Sequence, residues 1–216
     1  MTTCALVAAS DFNADHFKAL NDAGGFDYIV AVDAGFAYLE KLGVKPDLAI
    51  GDFDSLGYVP KARRVSKHPQ HKDQSDLELA LERVSTRRYS HVHVYGALGG
   101  RLDHTLANLQ LFASYAEQGF DITAIDMDCA LRVLVGPDAF DLPPFKSGTV
   151  SVFSATDVSH GVSERGLEYP LDDADLTNRT SLGLSNELIG QEAAVSVAEG
   201  TLYVFYPLAD SAAVSE

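Results

Sequence analysis

Short apolar runs alternate with helically spaced stretches through the first half of the chain. Cys4 to Ala9 predicts a strand, and Phe17, Leu20 and Ala23 after it recur at helical spacing. Tyr28 to Val32 predicts a second strand that ends at Asp33-Ala34-Gly35, and Phe36 to Leu42 a short helix closed by Gly43. Leu48 to Ile50 predicts a third strand, which delivers Gly51-Asp52-Phe53-Asp54-Ser55. Ser75-Asp76-Leu77-Glu78 has the capping-box pattern and starts a helix whose buried stripe is Leu77, Ala80, Leu81 and Val84. His91 to Tyr95 predicts another strand. The helix after the glycine turn at 96–100 is expected to bury Leu102, Leu106, Leu109 and Ala113.

Alternation of this kind implies a mostly parallel sheet covered by helices, with ligands beyond the carboxyl ends of its strands. After Asp128 the pattern changes. Leu131 to Val135, Thr149 to Phe153, Ala194 to Val197 and Leu202 to Tyr206 predict short strands, and Ala198-Glu199-Gly200-Thr201 a hairpin turn between the last two. The expected organisation is an α/β domain over residues 1–127 and a small all-β domain over 128–216.

The chain has 216 residues, an apolar fraction of 46% and a net charge of −15. Such acidity argues against nucleic acid as a partner, since neutralising phosphates takes clustered Lys and Arg. ATP stays possible where a metal ion and a local arginine offset the repulsion. Two cysteines, Cys4 and Cys129, are too few for a disulfide framework or a zinc cluster. The start lacks a basic leader, and no apolar run approaches the roughly 20 residues of a membrane helix, so a cytoplasmic protein is expected.

Three acidic segments fall where strands hand over to loops or helices, which suits a divalent metal holding a polyphosphate. Asp52 and Asp54 are two apart, so an extended backbone would point both carboxylates one way and Phe53 into the core. Two hard oxygen ligands beside a glycine suit Mg2+ shared with substrate phosphates, although a turn stabilised by aspartate has the same pattern. Asp73 and Asp76 flank a helix start, where acids also serve as caps, while Lys72 beside them could meet a phosphate. Gly99-Gly100-Arg101 is neither a Walker loop nor a dinucleotide fingerprint, yet it offers backbone N–H groups at a helix N-terminus. Arg101, His104, Thr105 and Asn108 share one face of that helix, opposite the leucines.

These residues resemble the thiamine pyrophosphokinase family, in its bacterial form. The match runs through Asp33-Ala34-Gly35, Gly51-Asp52-Phe53-Asp54-Ser55, Lys72-Asp73-Gln74-Ser75-Asp76 and Gly99-Gly100-Arg101-Leu102-Asp103-His104 with Asn108. It continues in Gly166-Leu167-Glu168-Tyr169-Pro170-Leu171 and Gly183-Leu184-Ser185-Asn186-Glu187. The resemblance implies a Rossmann-like domain, a β-sandwich domain and a homodimer whose sites lie between subunits. It implies Mg-dependent transfer of pyrophosphate from ATP to the thiamine hydroxyl, giving thiamine diphosphate and AMP. Asp52, Asp54 and Asp76 would then hold Mg2+, with Asp73 a further catalytic candidate. Asp33, Gly35, Lys72, Gly100, Arg101, Asp103, His104 and Asn108 would serve ATP, and Ser185 and Asn186 thiamine. Two features depart from the pattern: the chain has no Trp to stack on thiamine, and Ala34 stands where the family often has Gly. The other readings are a diphosphokinase for a hydroxymethylpterin, a nucleotide or thiamine sensor, and a Mg-dependent phosphohydrolase.

Overall fold

The first strand, β1 (Thr3–Val7), has Cys4, Ala5, Leu6 and Val7 entirely buried, as a strand covered on both faces requires. The computed structural model describes residues 2–86, 89 and 91–208. They fall into two compact units, one made of Met1–Leu111 with Phe120–Met127, the other of Phe112–Gly119 with Asp128–Glu216.

In the first unit β1 is followed by α1 (Ala14–Asp22), β2 (Tyr28–Val32) and a 3-10 turn at Asp33–Gly35. Then come α2 (Phe36–Lys41), β3 (Leu48–Gly51), β4 (Val65–Lys67), α3 (Asp76–Ser85), β5 (His91–Tyr95), α4 (Leu102–Glu117), whose residues from Phe112 on are counted with the second unit, and β6 (Asp121–Ile125). All pairings are parallel, in the order β6-β5-β1-β2-β3-β4. The chain therefore leaves β1 toward β2 and later returns to β1's other side as β5. A crevice at the carboxyl ends follows from that reversal. Side-chain caps set two helix starts: Asn13 Oδ1 accepts from the His16 N–H, and Ser75 Oγ from the Glu78 N–H at 3.1 Å.

Helix α4 departs from expectation. Leu102 and Leu106 are 82% and 58% exposed, and the buried residues are Phe112, Ala113 and Ala116. The reason lies on the polar side of its first turns. Thr105 Oγ1 donates to the Gly99 carbonyl at 3.1 Å and Asn108 Nδ2 to the Ala97 carbonyl at 2.7 Å, so this face is turned toward the glycine loop and the leucines face away.

The second unit holds β7 (Cys129–Val135), β8 (Asp138–Asp141), β9 (Gly148–Ser154), β10 (Val158–Arg165), β11 (Leu171–Thr177), β12 (Asn186–Leu188), β13 (Ala194–Val197) and β14 (Thr201–Pro207). They pair antiparallel in two sets, β12-β9-β14-β7 and β11-β10-β13-β8. One core joins the sets: Leu134, Val152, Leu202 and Val204 of the first cluster with Val162, Leu176, Val195 and Val197 of the second. The expected hairpin at Ala198–Thr201 is not one. β13 pairs with β10 and β8, and β14 with β7 and β9, so this turn carries the chain from one sheet to the other. Hydrogen bonds between His160 and the turn, rather than a β13–β14 ladder, hold it. Among the described residues no helix is long and apolar enough to cross a membrane.

Candidate active site

The loops after β1 and β5 are tied together by backbone: Ala8 N–H donates to the Tyr95 carbonyl and Ser10 N–H to the Gly96 carbonyl, both at 2.8 Å. Beside them Gly35 is buried, and a Cβ there would stand 2.0 Å from the Val7 carbonyl oxygen. Only glycine permits that approach, which brings the turn carrying Asp33 against β1. The result is a hollow of about 390 Å³ whose lining includes Ser10, Asp33, Asp76, Gly100, Arg101, His104 and Asn108. Gly35, Asp103 and Asp73 do not line it; Asp73 and Asp103 are exposed.

Backbone strain marks the acidic loops. Asp33 and Phe53 have φ of 47° and 62°, in the left-handed region, where a bulky side chain such as Phe is an outlier. Conformations of this kind cost about 1–3 kcal/mol each and cluster at functional sites. Here the Phe53 N–H donates to Asp33 Oδ1 at 3.2 Å, and the Phe53 ring is buried. The segment is therefore a turn rather than extended. Asp52 Oδ1 accepts the Asp54 N–H at 3.0 Å, and both residues border a second hollow of about 260 Å³ with Tyr58 and Lys67.

Lys72 connects Asp52 with the first hollow. Its Nζ lies 3.1 Å from Asp76 Oδ1 and 3.9 Å from Asp52 Oδ2, and donates to the Pro69 carbonyl at 3.2 Å. Burial holds the Asp76 carboxyl above the usual carboxylate range; Lys72 pulls it back, and Asp33 and Asp52 add to the rise. A cation position thus exists between Asp52 and Asp76. Among the described residues no three His, Cys, Asp or Glu side chains are grouped to hold a metal ion. That is compatible with Mg2+, which needs only one or two carboxylates when phosphates and water complete its shell. The donors are all oxygens, so the set fits.

At the glycine turn a Cβ on Gly99 would lie 2.3 Å from Asp11 Oδ2, and one on Gly100 2.7 Å from Ser10 Oγ, with both φ values positive. The positive φ values favour glycine at both positions, and the short distances show how closely the Asp11 and Ser10 side chains approach the turn. Ser10 Oγ is buried with no hydrogen-bond partner among the described residues, which marks Ser10 as a site residue that sequence reasoning missed. Its signal was faint: a hydroxyl among small residues after a strand. Arg101 donates to Asp103 through Nε at 3.1 Å and through a terminal nitrogen at 2.5 Å, which holds the Asp103 carboxyl down at about 2.

In the second unit Ser185 is exposed at φ 58°, and its N–H donates to Ser151 Oγ at 3.0 Å. Asn186 beside it is 4% exposed, with its amide committed to protein partners.

Residues 23–124 match the family description "Thiamin pyrophosphokinase, catalytic domain", and 140–202 match "Thiamin pyrophosphokinase, vitamin B1 binding domain". The thiamine pyrophosphokinase of Bacillus subtilis (strain 168) is 30% identical over 181 residues, spanning 80% of this chain and 84% of that protein. The crystal structure of a thiamine pyrophosphokinase from Bacillus subtilis superposes with a TM-score of 0.80 at 26% identity, over 95% of this chain and 99% of the other. That of Geobacillus thermodenitrificans gives 0.80 at 27%, over 97% and 99%. The yeast enzyme, at 13% identity and a TM-score of 0.78 over 95% and 86%, shares the fold. With both domain descriptions matched in order, the chain belongs to the thiamin pyrophosphokinase family and is a diphosphokinase.

Proposed function

We propose that this diphosphokinase moves the pyrophosphoryl group of ATP onto the hydroxyethyl oxygen of thiamine and releases AMP, with Mg2+ bound alongside ATP. The observation that carries the reading is the meeting of Asp52 and Asp76 at the Lys72 ammonium, beside a hollow lined by Gly99-Gly100-Arg101. The two matched domain descriptions support the substrates. We read residues 1–127 as a Rossmann-like ATP-binding domain and 128–216 as a thiamine-binding β-sandwich. The reversal of strand order at β1 and the core shared by two antiparallel sheets support this.

Asp52 and Asp76, which meet at one cation position, are the carboxylates that would hold Mg2+, with Asp54 on the same loop the further candidate; the ion would neutralise charge on the phosphates. The chain's own work is positioning. Gly100 offers backbone N–H at the start of α4 and Arg101 its guanidinium to phosphate oxygens. Asp33, His104 and Asn108 line the nucleotide hollow, Gly35 seats Asp33 against β1, and Asp103 steadies Arg101. Lys72, once displaced from its carboxylates, meets the phosphates. As the thiamine hydroxyl oxygen bonds to the β-phosphorus it gives up its proton to water, and the bond to the AMP oxygen breaks on the opposite side. Asp73, exposed, is assigned no step.

At the acceptor end Ser185 presents its hydroxyl, and Tyr169, 64% exposed, supplies the aromatic surface in a chain without Trp. Leu182, Leu184 and Ile189, all about half exposed, surround this segment, and their apolar surface supports a homodimer.

Release of AMP that requires both thiamine and Mg2+ tests the reading. AMP formed with a hydroxymethylpterin but not thiamine would move the acceptor. Binding of both ligands without AMP would make the chain a sensor. Asp54→Asn is expected to lower kcat at saturating Mg2+ by about a hundredfold or more. Near-native turnover would remove Asp54 from the metal set.

A further inference from the structure

Glu164, on β10, has no exposed surface and is the one acid buried among the described residues, where the other buried polar side chains are Ser, Thr and Asn. Its Oε2 accepts from Asn186 Nδ2 at 2.7 Å, and its Oε1 has no hydrogen-bond partner among the described residues. A buried carboxyl with half its capacity unused costs stability, and burial pushes its pKa up to about 6. Packing alone would favour an apolar side chain here. What Glu164 supplies is one acceptor, aimed at one amide.

That amide is fully committed. Besides Glu164, Asn186 Nδ2 donates to the Tyr169 carbonyl at 2.8 Å, while its Oδ1 accepts the N–H of Tyr169 at 3.0 Å and that of Glu187 at 2.9 Å. The side chain therefore grips both backbone groups of Tyr169. It has no donor or acceptor left for a substrate. An isolated bridge between Leu167 and Leu188 and a Glu168 N–H bond to the Glu187 carbonyl at 3.0 Å bind the same two segments together. Next to the clamp stand the exposed Ser185, in its left-handed conformation, and the exposed Tyr169 ring.

We infer that Glu164 is a positioning residue for thiamine: by orienting the Asn186 amide it fixes segments 167–169 and 185–187, which present Tyr169 and Ser185 to the substrate. The inference rests on the proposed assignment of thiamine to this segment. It makes Asn186 part of the support rather than a substrate contact.

The test compares Glu164→Leu and Glu164→Gln in the full-length enzyme, with KM for each substrate, kcat, and amide hydrogen exchange at Tyr169. Glu164→Leu is expected to raise KM for thiamine about tenfold, leave KM for ATP within about twofold, and speed exchange at Tyr169. Glu164→Gln, which keeps an acceptor for Asn186, restores both. If Glu164→Leu does not fold, Glu164→Met takes its place, since it keeps the side chain's length and removes the carboxylate acceptor for the Asn186 amide. An unchanged Tyr169 exchange rate overturns the clamp, and so does an equal rise in both KM values. Faster exchange with an unchanged KM for thiamine, alongside a Ser185→Ala variant of native KM, would instead relocate thiamine and leave the clamp standing without its role.

Discussion

Lys72 holds an ammonium between Asp76 and Asp52, at 3.1 and 3.9 Å, where a divalent ion would seek the same oxygens. The two cations compete, so removing one should help the other. Lys72→Met is expected to tighten Mn2+ binding without nucleotide about tenfold, as read by paramagnetic resonance of free Mn2+, while lowering kcat. Unchanged Mn2+ affinity would show that the ammonium does not occupy the cation's place. Glu164 allows a second test at this scale. Its folded pKa of about 6 lies above its ordinary 4.5, so the native state holds the proton more tightly than the unfolded chain. Stability therefore falls as pH rises from 4.5 through 6 and stays lower above. Between pH 4.5 and 7.5, Glu164→Gln should gain about 2 kcal/mol on the parent in denaturant unfolding. A flat difference would contradict the raised pKa. Neither residue's setting was fully legible in the sequence. Lys72 stood out beside its acids, but Glu164, between Ser163 and Arg165, reads as an exposed strand position. The amide that its carboxylate accepts from, Asn186, lies 22 residues away in the chain.

In the first unit β1, β2, β3, β5 and α3 were legible because they sit in the sheet interior or bury one clear stripe, whereas β4, an exposed edge strand, and β6 were not named from the sequence. β11 was not: in Leu171–Thr177 only Leu176 is buried, as suits an edge strand whose acids face solvent. Helix α4 shows a different limit. Its period separated a leucine face from a polar face correctly, but periodicity does not say which face is covered. Hydrogen bonds from Thr105 and Asn108 to the glycine loop decided it. Asn108 then holds the loop that carries Gly99-Gly100, through its bond to the Ala97 carbonyl. Asn108→Ala should cost about 1 kcal/mol of stability and raise KM for ATP severalfold, with KM for thiamine unchanged. Equal effects on both substrates would detach Asn108 from the nucleotide.

For the whole molecule, the change in pattern near Asp128 showed that two kinds of structure share the chain. How eight antiparallel strands divide into two sheets was not readable, because the turn at 198–200 looks like any hairpin and differs only in what its flanking strands pair with. The proposed homodimer makes a sharper demand than association alone. If each site takes ATP groups from one subunit and thiamine groups from its partner, two inactive chains can repair each other. Asp54→Asn disables the acidic loop and Ser185→Trp blocks the acceptor segment, in different units of the chain. Mixed after unfolding and refolding together, they should form heterodimers in which one of two sites has both native halves. Random pairing then restores about a quarter of the wild-type activity, measured as thiamine-dependent AMP release. Sites complete within one subunit would restore none, because every site would still carry one of the two lesions. Recovery with sedimentation of a dimer would establish the shared site, and a monomer with full wild-type activity would end it.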